Sequence, residues 1–167
     1  NPITRHPSVT ANATATINEL SGGRAFLGIG VGMSAVMTMG EGPRPQKERL
    51  EAIEFIRKYM AGEEAEFKGA RMHSEWIRRP VPIYMAANGP RALQLAGGLG
   101  DGVIITGVHP ELIRWKMELI EKGALKAGRD PSKVDVWIRT MCYVATSKEA
   151  SKREVASYAA TGAFGIY

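Results

Sequence analysis

Residues Val81–Asp101 read VPIYMAANGPRALQLAGGLGD, and the fold turns on how they are read. Ile83-Tyr84-Met85-Ala86-Ala87 is a short, bounded apolar run, the mark of a buried strand. Asn88-Gly89 breaks that strand, and Pro90 sits where a helix takes its first residue. From Arg91 the period becomes helical, with Leu95 and Leu99 four apart and Leu93 and Ala96 beside them. Gly97 and Gly98 weaken the middle of this helix, and Gly100 is its stop signal. A strand, a glycine turn and a helix start leave free backbone N–H groups at the positive end of the helix dipole, which suits an anion. Arg91, in the first turn, adds a fork of donors matched to phosphate. The same residues also read as an ordinary βα turn with a solvent-facing arginine, and local physics does not choose between the two.

The pattern continues on both sides. Downstream, Gly102–Thr106 is a second buried strand, and Pro110 opens the longest helix with Ile113, Met117, Ile120 and Ala124 as its core stripe. Gly128 ends it, Asp130-Pro131 is a turn, Val134–Ala145 is a long strand, and Ser147 caps a helix running to about Ala160. Upstream, Ser8–Leu20 is a small-residue helix with Val9, Ala13, Ile17 and Leu20 at helical spacing. Ala25–Gly30 is a strand, Val31–Pro45 a Gly-, Met- and Pro-rich loop with room for a short helical turn, and Gln46–Ala61 an amphipathic helix striped by Leu50, Ile53, Ile56 and Met60. Glu66–Gly69 and Met72–Ile77 suggest a small hairpin outside the main alternation. One helix followed by four βα units argues for a parallel sheet, either a small open doubly wound sheet or half of an eightfold barrel. The chain begins Asn1-Pro2-Ile3-Thr4 and stops at Tyr167 directly after a helix, so both ends read as cuts through a longer fold. The expected fold class is therefore α/β, a partial TIM (β/α)8 barrel of about four βα units with a hairpin insertion, residues 1–167 forming a single domain.

Composition narrows the function. At 44% hydrophobic and 23% charged residues the chain is of the soluble globular type. One cysteine, Cys142, excludes an internal disulfide framework and fits a reducing cytoplasm; it lies in an apolar strand pattern and reads as a core residue. No apolar run approaches the ~20 residues of a membrane span, and no signal peptide is seen. The net charge of +5 is scattered, with Arg78-Arg79 and Lys152-Arg153 only pairs, which argues against nucleic acid.

Ligand sites in either architecture gather in the strand-to-helix loops. Gly30-Val31-Gly32-Met33-Ser34-Ala35 fits a relaxed dinucleotide fingerprint, but no helix is expected to open there and no acidic residue stands at the end of a next strand. His6, His73 and His109 are isolated and no cysteine pair exists, so no metal is expected. His109 precedes Pro110 and reads either as a substrate contact or, more simply, as a helix-start hydrogen-bonding residue. Asp101-Gly102 reads as a turn into the strand, and Trp76, Trp115 and Trp137 as packing residues. Met33, Met37 and Met39 suit an adaptable wall against a flat ring and equally suit core packing. Phosphate and ring binding are better supported than acid–base or nucleophilic chemistry, which points to an enzyme whose chemistry is carried by a cofactor.

Several ordered motifs carry a family resemblance. Asn1–Pro7, Glu19-Leu20-Ser21-Gly22-Gly23-Arg24, Leu27–Gly32, Val81-Pro82-Ile83-Tyr84, Asn88–Leu93 and Gly100–Val103 together resemble the central part of the bacterial luciferase-like superfamily. Within it the chain looks closest to deazaflavin-dependent methylenetetrahydromethanopterin reductases. The resemblance implies the helix after the third barrel strand, then strands four to seven with their helices. It implies an oxidoreductase moving a hydride between the deazaflavin coenzyme F420, or alternatively FMN, and a small organic substrate. Ala87, Asn88, Gly89, Pro90 and Arg91 would bind the coenzyme phosphate, while Gly30, Gly32, Met33 and Ser34 would lie along the coenzyme. Thr106 and His109 are substrate-side candidates, and no catalytic residue is assigned, because the family's acidic early-strand residues lie outside this sequence. Open barrel edges imply a homo-oligomer, with a catalytically silent, self-associating barrel fragment as the rival reading.

Overall fold

The computed structural model describes residues 1–42, 44–140 and 142–164, with side chains up to residue 156. The chain divides into two compact units, Asn1–Met85 and Ala86–Tyr167.

The first unit holds α1 (Pro7–Leu20), β1 (Leu27–Ile29), α2 (Met33–Thr38), α3 (Gln46–Met60), the strands β2 (Ala65–Phe67) and β3 (Ala70–Met72), and β4 (Ile83–Ala86) up to Met85. β1 and β4 run parallel, with Leu27 opposite Ile83 and Ile29 opposite Met85. β2 and β3 form the expected hairpin, shorter than the sequence suggests; Ser74 and Ile77 are buried beyond it while Trp76 is exposed. The core is built from Ile29, Val36, Phe55, Ile56, Met60 and Ile83, with Phe55 stacked on Tyr59 and tilted against Phe67.

α1 corrects the expected packing face. Val9, Ile17 and Leu20 are exposed, whereas Ala11, Ala15 and Asn18 are fully buried. The small face lets α1 lie close to α3, where the Tyr59 hydroxyl donates to Asn12 Oδ1 at 3.1 Å. Asn18 is buried without loss because both ends of its amide are used. Its Nδ2 donates to Arg79 O at 3.0 Å and its Oδ1 accepts from the Ala25 N–H at 3.2 Å, tying the end of α1 to the segments that enter β1 and β4. Glu19 reinforces the same junction by accepting from the Arg78 and Arg79 N–H groups, each at 2.8 Å. Those backbone bonds, first from Arg78, hold its carboxyl below the usual glutamate range.

The second unit holds α4 (Pro90–Leu99), β5 (Gly102–Thr106), α5 (Pro110–Lys126), a 3-10 turn at Pro131–Lys133, β6 (Asp135–Arg139) and α6 (Lys148–Phe164). β5 and β6 are parallel from Gly102 opposite Asp135 to Thr106 opposite Arg139. The buried residues are Leu93, Ala96, Val103, Ile105, Ile120 and Ala124. β6 is much shorter than the expected Val134–Ala145, of which Met141 lies outside the described residues. Cys142 is exposed rather than core, and Trp137, at 43% exposure, is only partly packed. Ser147 does cap α6, accepting from the Ala150 N–H at 3.1 Å.

The glycines of α4, which weaken it as an isolated helix, are what allow α4 and α5 to pack closely. A Cβ built on Gly97 would run into the Ile120 carbonyl, and one on Gly123 into the Gln94 carbonyl. Gly100 ends α4 as expected, and Arg129 completes that end, its Nη1 donating to Gly97 O at 3.1 Å and Gly100 O at 2.6 Å. Carbonyls with no intrahelical donor are thereby satisfied by a side chain from just beyond the end of α5.

Candidate functional site

The turn between β4 and α4 is built as its sequence indicates. Ala87 is buried and its N–H donates to Ile104 O at 3.1 Å, tying the entry of the turn to β5. Gly89 is the N-cap of α4 in an extended conformation, no side chain caps the helix, and Pro90 is its first residue. The first intrahelical bond runs from the Leu93 N–H to Gly89 O at 2.9 Å, so the N–H groups ahead of Leu93 have no partner within the helix. Arg91 is exposed in that first turn, and nothing lies within 4 Å of the position a Cβ on Gly89 would take.

Asn88 is the keystone. Its Oδ1 accepts from the Thr106 N–H at 3.1 Å, the Thr106 hydroxyl at 2.7 Å and Lys116 Nζ at 2.8 Å. Lys116 Nζ also donates to Thr106 O at 2.7 Å. Three converging donors fix which amide atom is the oxygen. The structure thus brings two sequence-derived candidates, Asn88 and Thr106, into direct contact and adds a third residue that the sequence reading missed. Lys116 is 2% exposed on the face of α5 that carries Ile120 and Ala124, while Met117, which the stripe placed inside, is 42% exposed. Burial holds its ammonium below the usual lysine range. The available signal was its phase, one turn before Ile120 on the buried face, but a lysine is ordinarily read as a solvated residue.

His109 is the N-cap of α5 and exposed, and its side chain makes no capping bond, so the helix-start role expected for it is not used. It lies in the loop after β5, three residues beyond Thr106, with Gly107, at a φ of 139°, and Val108 between them.

The other candidate loop belongs to the first unit. Gly30 follows the buried Ile29, and Gly32 is the left-handed N-cap of α2 at a φ of 67°, beside the Asn1 side chain. A helix does open at Met33, where a dinucleotide fingerprint was not expected to have one, but it has only six residues and is the short helical turn that the loop allows. The left-handed glycine turns the chain sharply enough to start it, and Val36 anchors it in the core. Met33, Met37 and Met39 are exposed, which sets aside core packing for them. Among the described residues no group of three or more His, Cys, Asp or Glu side chains could hold a metal, and no helix is long and apolar enough to cross a membrane.

Parallel strands alternating with helices, and a donor-lined βα turn at a strand's carboxyl end, define an α/β protein with a parallel sheet. The chain belongs to the luciferase-like monooxygenase family, whose model matches residues 1–166. It is similar to the 5,10-methylenetetrahydromethanopterin reductase of Methanolobus tindarius, at 40% identity over 94% of this chain and 50% of that protein. Similarity to an F420-dependent glucose-6-phosphate dehydrogenase of Nakamurella multipartita is 32%, over 95% of this chain and 50% of that protein. Among solved structures, the coenzyme F420-dependent tetrahydromethanopterin reductase of Methanopyrus kandleri matches with a TM-score of 0.74 and 30% identity, covering 90% of this chain and 50% of that one. The chain spans about half the length of the curated relatives it matches. The expected fold class, part of a (β/α)8 barrel, agrees with these matches, and the expected deazaflavin agrees with the coenzyme named for the Nakamurella and Methanopyrus proteins.

Proposed function

We propose that this chain carries the coenzyme-phosphate portion of an oxidoreductase active site, in which coenzyme F420, or FMN as the alternative, exchanges a hydride with a small organic substrate. The observation that carries the reading is the uncapped start of α4 beside the Asn88–Thr106–Lys116 cluster. The residues present fit a phosphate. Residues 86–92 contain no carboxylate, the N-cap side is open, and the available groups are N–H donors and the Arg91 guanidinium. The coenzyme supplies the hydride chemistry when bound. The chain's own contribution is to bind and orient: Ala87–Arg91 fix the phosphate, and Gly30, Gly32, Met33 and Ser34 lie along the coenzyme. Thr106 and His109 face the substrate. The substrate itself is proposed only as a small organic molecule.

Fluorescence titration with F420 and with FMN tests this. Saturable binding in the micromolar range is expected, weakened by Arg91→Ala; flat titrations with both to high micromolar concentration overturn it. The same reading makes the protein cytoplasmic and a homo-oligomer, the association being supported by apolar Trp137 and Ile138 left exposed on β6. A monodisperse monomer in analytical ultracentrifugation refutes that part.

A further inference from the structure

Lys116 carries a charge that its hydrogen bonds alone do not require. It is buried, its two acceptors are the neutral oxygens Asn88 Oδ1 and Thr106 O, and no ion pair to a carboxylate is formed by it among the described residues. Lys47 and Lys58, by contrast, pair with Glu51 and Glu54 on the surface of α3. Burying an ammonium without a counter-ion is costly, and a neutral donor would satisfy the same two acceptors with far less desolvation. What the ammonium adds is a fixed positive charge directly behind the turn that opens α4. That turn already presents a helix N-terminus, whose partial charge has the same sign. Two positive sources converge on one short segment that carries no carboxylate of its own.

We propose that Lys116 is a positioning residue and resident counter-charge of the β4–α4 turn: it holds the Asn88 amide in place and gives the turn much of its preference for a phosphate-bearing ligand over the same ligand without phosphate. This rests on the phosphate reading of that turn. Lys116 acts through Asn88 and through its field rather than by touching the ligand. Its removal therefore changes discrimination between charged and uncharged ligands more than affinity for the ring.

The test compares two ligand pairs, F420 against its phosphate-free deazaflavin chromophore and FMN against riboflavin, on the wild type, Lys116→Gln and Lys116→Met. The wild type is expected to prefer the phosphorylated member of a pair. Both variants should lose about tenfold in affinity for it, the effect of one charge at roughly 10 Å in an effective dielectric of about 20. Affinity for the phosphate-free member should hold within about twofold. Equal losses for both members, as a purely structural role would give, overturn the proposal, and so does an unchanged preference in the variants. A wild type without any preference overturns the phosphate reading and this proposal together. Should both variants fail to fold by circular dichroism, the wild type decides. Inorganic phosphate must then shift the Lys116 side-chain NMR signals, and signals that stay fixed at saturation overturn the proposal.

Discussion

Gly97→Ala tests whether the spacing of α4 and α5 is set by backbone contact. In an exposed helix interior this substitution stabilises by about 1 kcal/mol, because glycine is the poorer helix former. Here the new methyl would meet the carbonyl of Ile120, lying 2.9 Å from its carbonyl carbon and 3.0 Å from its Cα. These are backbone atoms, so no rotamer change relieves the overlap and the helices must move apart. Overpacking of that kind costs up to about 3 kcal/mol, which leaves a net destabilisation of about 2 kcal/mol. Gly98→Ala is the internal control. Its Cβ would stand 3.2 Å from Gly123 O and 3.3 Å from Ala127 Cβ, contacts that yield with a small adjustment. That variant is expected within about 0.5 kcal/mol of the wild type, propensity and crowding offsetting each other. Urea denaturation followed by far-UV circular dichroism reads both, with the m-value checked for constancy. A Gly97→Ala protein as stable as Gly98→Ala, or more stable than the wild type, refutes the close-contact account.

Three further outcomes follow from the packing and polar networks. Asn88→Ala removes the acceptor of three donors and should cost about 2 kcal/mol in urea unfolding, the scale of stranded buried donors, while Asn88→Asp, which keeps an acceptor and gives Lys116 a counter-charge, should recover most of it. Glu19 has a folded pKa depressed by the Arg78 and Arg79 N–H groups, so its contribution is complete above the ordinary glutamate value of about 4.3 and is lost as pH falls through the lower folded value. The stability gap between the wild type and Glu19→Gln should therefore close on acidification below about pH 4, and a gap of constant size would contradict this. On α1, Ala15→Ile should destabilise by about 1–3 kcal/mol and Ile17→Ser by no more than about 0.5, the reverse of what the apolar pattern of the sequence suggests.

The order of elements was legible because strands and helices differ in period, and the boundaries of β5 and the starts of α4 and α5 at Pro90 and Pro110 stand where the sequence places them. Faces were harder to read. α1 buries alanines and an asparagine, because close helix packing selects for small size, a property that hydrophobic periodicity does not weigh. β6 shows the opposite failure: an apolar run becomes a strand only where a neighbour pairs with it, and pairing with β5 ends at Thr106 and Arg139. At the site, the turn itself is local and so was visible. Asn88, Thr106 and Lys116 are separated by 18 and 10 residues, and no local pattern joins an amide, a hydroxyl and an amine that meet only after β5 and α5 have formed. Lys116 in particular looks like any solvated lysine until its phase with Ile120 is set beside the depth of that helix face.

The close seam between α4 and α5 has a consequence for the turn. Lys116 and Ile120 are one helical turn apart on α5, and the Ile120 carbonyl is the surface against which Gly97 rests. The lysine stem spans from that helix to the Asn88 oxygen at 2.8 Å. The two glycines therefore help set the helix separation that the lysine stem must cross to reach Asn88. The geometry of the Asn88–Thr106–Lys116 cluster is thereby coupled to glycines that lie outside it, through helix separation.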